Sequence, residues 1–167
     1  SARARGIVGR MAASTSAAAC TAPPSWSPTS PLPTGYSIRR TVGGLYIRRN
    51  TTDKGVSDHV RDEYVTLLTE INRGSFSINA ALDGGANAGY SSVAFARALP
   101  KARIVALEPH PDNYAMLRQN ALSYSNIVPL QAALWSDSGG PPPMVNVVRG
   151  TFDGREWNMM VSNSNAQ

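Results

Sequence analysis

Two acidic residues, Asp83 and Glu108, each close an apolar run, and a turn of small residues, Gly84-Gly85-Ala86-Asn87-Ala88-Gly89, follows the first. A carboxylate at a strand tip accepts hydrogen bonds from ribose hydroxyls, and glycine lets backbone approach a ligand where a Cβ would intrude. Gly85 and Gly89 suit that role, and Asn87 tolerates left-handed backbone. The N–H groups at the start of the following helix, from Ser91, are suited to holding a carboxylate. Asp83 is placed to orient the turn or to meet a ligand's amino group. A third apolar run ends in Gln131-Ala132-Ala133, where Gln131 offers hydrogen bonds and the alanines a flat wall for a base. Together these features predict a site for the adenosine of S-adenosylmethionine.

A nicotinamide dinucleotide is the nearest competing cofactor, because Glu108 follows Gly85 by 23 positions, as a ribose-binding acid would. The turn lacks the G-x-G-x-x-G spacing, however, and a dinucleotide site does not require the acid at Asp83. A P-loop is excluded, since no Gly-Lys-Ser/Thr ending is present. The structural alternative is a glycine-rich strand-to-helix turn with no ligand, and the alternative from another class is a non-catalytic, Rossmann-like binding module that keeps the fold but turns nothing over.

The elements that must position these residues are legible from periodicity. Ile78 to Asp83 reads as a strand, 91–99 as a helix closed by Pro100, and Arg103 to Glu108 as a second strand. Pro111 suits the first turn of a further helix with Tyr114, Leu117 and Ala121 on its buried stripe. Ile127 to Leu134 reads as a third strand, apolar enough to be covered on both faces. Strand–helix–strand–helix–strand predicts α/β class, half of a doubly wound sheet. Upstream, Leu45-Tyr46-Ile47 reads as a short strand. Ser57 is expected to cap a helix to about Asn72, with Asp58, Asp62 and Glu63 near its positive end. Val60, Tyr64, Leu67, Leu68 and Ile71 would face the sheet from it. Gly139-Gly140-Pro141-Pro142-Pro143 marks a turn, after which 144–148 and 157–161 are expected to pair as a hairpin.

Charge is unevenly distributed along the 167 residues. Residues 1–52 carry seven arginines and no acid, whereas 53–167 carry nine basic against eleven acidic residues, a net of −2. With no basic stripe interleaved with aromatics, no nucleic-acid partner is expected for the domain. Residues 1–40 read as a disordered Ser/Ala/Pro/Arg-rich leader, with 1–36 of organellar transit-peptide composition, and 41–167 as the domain. A transit peptide would imply an organellar location, and a plain leader a cytoplasmic one. Cys20 is the only cysteine, and neither His59 nor His110 has a partner at metal-ligand spacing, so no metal site is expected. No apolar run approaches the ~20 residues that span a bilayer.

The segments Asp83-Gly84-Gly85-Ala86-Asn87-Ala88-Gly89-Tyr90 and Glu108-Pro109, with Asn113 and Leu117 to Asn120, resemble the FkbM family of S-adenosylmethionine-dependent methyltransferases. Ala132-Ala133-Leu134 and the upstream stretch Ile47 to Asp53 also look like that family, over about residues 45–137. The resemblance implies a Rossmann-like class I methyltransferase fold and O-methylation of a hydroxyl on a small molecule or glycan. It implies cofactor-binding roles for Asp83, Gly85, Asn87, Gly89, Tyr90, Glu108, Pro109, Gln131 and Ala132. The family continues with a strand bearing Lys, Asp and a Glu-Gly pair, which has no counterpart before Gln167. The chain is therefore expected to hold only about the first three central strands, as a partial domain without an assignable catalytic base.

Overall fold

Three short apolar runs pair in parallel register to form the centre of the molecule, seen in a computed structural model that describes residues 31–74, 77–134, 145–149 and 159–163. An antiparallel pair, β1 (Ile38–Arg40) with β2 (Tyr46–Arg48), precedes the long helix α1 (Asp53–Arg73). The sheet follows as β3 (Ala80–Gly84), α2 (Tyr90–Ala98), β4 (Arg103–Leu107), α3 (Pro111–Ala121) and β5 (Ile127–Leu130). The order is β3-β4-β5, with Asp83 opposite Ala106 and Gly84 opposite Leu107. A second antiparallel pair, β6 (Val145–Arg149) with β7 (Met159–Asn163), matches the expected hairpin strands to within two residues. The chain is thus α/β, compatible with part of a Rossmann-like fold. The expectations for residues 1–30 and for the 139–143 turn lie outside the described residues.

Alternation in the strands decides which face is buried. Ala81, Ile104 and Ile127 stand in register on one face and pack with Val93, Ala96, Leu117 and Ala121 of α2 and α3. Two successive crossovers of the same hand, between strands laid down in one direction, put both helices on that face. The other face carries Leu82, 58% exposed, beside half-buried Val105 and Val128. The expectation that β5 is covered on both faces is therefore corrected for the described residues. Nor does β5 reach Leu134: the chain leaves the sheet after Leu130, where the Ala132 N–H donates to the Leu130 carbonyl (3.1 Å).

The region ahead of β3 departs further from expectation. Ordered backbone begins within the stretch assigned to the leader, because β1 is held by pairing with β2 rather than by its own apolar content. Helix α1 starts four residues before Ser57, with Thr52 as N-cap and Asp53 as the acid of its first turn. It packs on α2 and β2 rather than on the sheet, with Val60 and Tyr64 meeting Ile47, Ala88, Tyr90 and Met116. The Tyr64 and Phe95 rings lie 5.6 Å apart between centroids. Leu67, expected on the buried stripe, is 46% exposed. Helix α2 and the short strand β2, rather than the parallel sheet, face α1, and such a seam covers a narrower stripe than the sheet would.

Candidate functional site

The turn after β3 is docked onto the tip of β4 by backbone hydrogen bonds. The N–H groups of Gly85 and Ala86 both donate to the Leu107 carbonyl, at 2.9 and 2.8 Å. Gly85 adopts φ +78° and Asn87 φ 51°, the left-handed backbone that glycine and asparagine tolerate best. Glu108, 4% exposed, accepts the Asn87 N–H at Oε2 and the His110 N–H at Oε1, both at 2.8 Å. Its carboxylate thus holds the turn and also the residue that caps α3. Asp83 Oδ2 accepts the hydroxyls of Ser91 (2.7 Å) and Ser92 (2.5 Å), which ties β3 to the first turn of α2. A carboxylate there is favoured by the positive end of the helix.

These groups border a cavity of about 990 Å³ between the sheet's C-terminal edge and the start of α1. Asp83, Gly85, Asn87, Tyr90, Glu108 and Pro109 all line it, so six of the nine expected positions come together. A Cβ added at Gly85 would meet nothing within 4 Å, so its missing side chain faces open space. The Asn87 Oδ1 atom is buried without a hydrogen-bond partner on the same wall.

Gly89, Gln131 and Ala132 are not on that wall. A Cβ on Gly89 would lie 2.6 Å from Leu117 Cδ1, so this glycine admits α3 to α2 rather than a ligand to the loop. Gln131 and Ala132 are exposed because the chain has already left the sheet. Ala133 and Leu134 line the cavity in their place, and Leu134 sits over Gly84, where a Cβ would approach its Cδ1 to 2.5 Å.

The support behind the site was not legible as such. Arg48 and Asp53, both fully buried, form a two-pronged ion pair, Nε–Oδ2 at 2.9 Å and Nη2–Oδ1 at 2.7 Å. The Arg48 N–H also donates to Asp53 Oδ2 (2.8 Å), so the pair welds β2 to the start of α1. Burial pulls the Arg48 pKa down, but the Asp53 hydrogen bond and charge outweigh it and leave it raised. Asn120 of α3 accepts the Tyr46 N–H (2.7 Å) and donates to the carbonyls of Tyr46 (3.1 Å) and Ala88 (2.8 Å). One amide therefore joins β2, the loop and α3. Both sets fall within stretches already singled out in the sequence, Ile47 to Asp53 and Leu117 to Asn120, but nothing local says which residue partners which. The adjacent serines after Tyr90 are the only support residues whose position at a helix start was a usable signal.

Tyr90, 3% exposed, donates its hydroxyl to the Tyr46 carbonyl (3.3 Å). Burial first, then the Asp53 carboxylate beside it, pushes its pKa far up, against a smaller opposing pull from Arg48. Below the ordinary phenol value of about 10, folded and unfolded chains both keep the proton and the contribution to stability is whole. Above it the unfolded chain releases the proton while the folded chain holds it, so stability falls as pH rises. Tyr90→Phe should abolish this dependence. Urea titrations above pH ~10 should show the wild type losing ground to the variant by about 1 kcal/mol per pH unit. A gap between the two that does not change with pH would refute this.

Among the described residues no group of three or more His, Cys, Asp or Glu is placed to hold a metal ion. No helix among them is long and apolar enough to cross a membrane. No family model matches the chain, and no curated protein matches it.

Proposed function

We propose that this chain is part of an S-adenosylmethionine-dependent methyltransferase domain of the Rossmann-like class I type, acting on a hydroxyl of a small molecule or glycan. The observation that carries the reading is the meeting of Asp83, Gly85 and Glu108 on one cavity at the tips of adjacent parallel strands. The residues present fit the cofactor. Each oxygen of Glu108 accepts one backbone N–H, leaving a second acceptor direction on each for the two ribose hydroxyls. The unpartnered Asn87 Oδ1 suits a hydroxyl or amino donor, and the open side of Gly85 leaves room for the ligand. Pro109 offers an apolar edge on the same wall.

When bound, the cofactor supplies a methyl group activated on sulfonium. The task of these residues is to hold and orient the donor so that the acceptor meets it at close range. No residue of the chain is assigned as the base. His59 is the one imidazole on the cavity wall, with Nε2 3.0 Å from Glu63 Oε2.

Titration calorimetry with S-adenosylmethionine tests the reading. Wild type should bind saturably, and Glu108→Gln, which keeps the shape but loses the charge, should weaken binding by about 1–3 kcal/mol. Thermal melts of both proteins separate lost affinity from lost fold. A second reading, a domain that binds but does not turn over, is favoured by the structural duty of Glu108 toward the loop and α3. Binding without methyl transfer to any hydroxyl acceptor would select it. No heat at millimolar ligand from a folded protein would reject the cofactor itself.

A further inference from the structure

A second cavity, of about 720 Å³, lies between the β1–β2 pair, α1 and α2, and shares only Val60 and Tyr90 with the first. Its size falls within the range of small-molecule pockets. Leu45, Ile47, Leu68, Val93 and Ala94, with Val60, give it an aliphatic lining. Tyr90 is its one aromatic wall residue, so it offers no platform for stacking a nucleobase.

The charged residues around this lining are one-sided. Arg39, Arg40, Lys54, Arg61 and Arg97 border the cavity, against the single acid Asp58. Asp58 is already shared by Lys54 and Arg61. Arg39, Arg40 and Arg97 have no acidic partner among the described residues. Two of these three are nevertheless held in place by neutral groups. Arg40 Nε donates to the Gly44 carbonyl (3.3 Å) and its guanidinium lies 5.7 Å from the centre of the Tyr46 ring. Arg97 donates to the Gly43 carbonyl (2.8 Å) and the Tyr124 hydroxyl (2.7 Å), with its guanidinium 5.6 Å from that ring's centre. Contacts of this kind orient a cation without neutralising it.

An aliphatic cavity rimmed by guanidinium groups that have no acidic partner among the described residues, two of them held in orientation, selects a ligand with a flexible apolar chain and an anionic end. We infer that this cavity binds a single-chain aliphatic carboxylate of the fatty-acid type, chain inward and carboxylate at the Arg39, Arg40 and Arg97 rim. The site is separate from the proposed cofactor cavity and does not depend on that reading. It also gives a use to Arg39 and Arg40 of the acid-free amino-terminal stretch, for which no nucleic-acid partner is expected.

The test titrates the full chain with dodecanoate below its micelle concentration, followed by calorimetry, with dodecanol as the uncharged probe. Dodecanoate should bind saturably at one site, and dodecanol about tenfold or more weakly, as the loss of charge-assisted hydrogen bonds predicts. The exposed double variant Arg39→Gln/Arg40→Gln should lose a similar factor while melting like wild type. Salt at about 1 M, where the screening length falls to about 3 Å, should weaken dodecanoate and leave dodecanol unchanged. Ala94→Phe, which fills the wall, should weaken both probes. The inference is overturned if dodecanol binds as tightly as dodecanoate, if the arginine variant binds unchanged, or if no saturation is reached. It is equally overturned if the chain ignores dodecanoate and binds only phosphatidylglycerol vesicles.

Discussion

Arg48→Met is expected to destabilise the fold by about 3–5 kcal/mol, the usual cost of removing one partner from a buried ion pair. Asp53 would keep the Arg48 backbone N–H but lose both guanidinium contacts, leaving a charge with no access to water. Domain stabilities lie near 5–15 kcal/mol, so the variant would stand close to its threshold. The damage should extend to the cavity, because Asp53 opens α1, whose first turns carry Thr52, Gly55 and His59 to its wall. Urea denaturation of the variant provides the measurement. The double variant Arg48→Met/Asp53→Leu should recover much of the loss, since an apolar pair removes both desolvation penalties together. A cost under about 1 kcal/mol for Arg48→Met would place the pair among weak surface bridges and sink the account.

The second large effect is expected at Gly89. This residue has φ +85°, which costs an L-residue about 1–3 kcal/mol. An added Cβ would also sit 2.6 Å from Leu117 Cδ1 and 3.3 Å from its Cα. The methyl of a leucine can turn aside, but a Cα moves only if α3 moves with it. Overpacking of this kind adds about 1–3 kcal/mol. Gly89→Ala should therefore lose about 2–6 kcal/mol in urea titrations. Gly85→Ala is the matched control, with φ +78° and nothing within 4 Å of the new methyl, and should lose only the conformational part. Its methyl projects toward the cavity, so its larger effect should be on S-adenosylmethionine binding. Equal stability losses at the two glycines would remove the helix-contact explanation for Gly89.

The two glycines show how far a motif can be read. Both fit a pattern that brings backbone near a ligand, and only one of them faces the cavity. The pattern records that a Cβ is unwelcome, without recording whether a ligand or Leu117 is the reason. Gln131 and Ala132 lie off the cavity wall for a related cause. An apolar run marks a strand but not the residue at which pairing stops, and here pairing stops at Leu130. Ser57 was a good local cap for α1, yet the helix begins at Asp53, because Arg48 engages that carboxylate from β2.

What the residues determined alone was the order of strands and helices from β2 onward, and the placing of Asp83, Glu108 and the glycine turn at strand ends. Those features repeat with the two- and 3.6-residue periods of the backbone, so they survive in a linear text. The tertiary structure decided which small residue meets a ligand and which meets a helix. It also decided that Arg48 answers Asp53, and that Asn120 reaches Tyr46 across 74 positions. Such partners are chosen by packing in three dimensions, where a buried charge or amide takes whatever group the fold brings within about 3 Å, and no period encodes that choice.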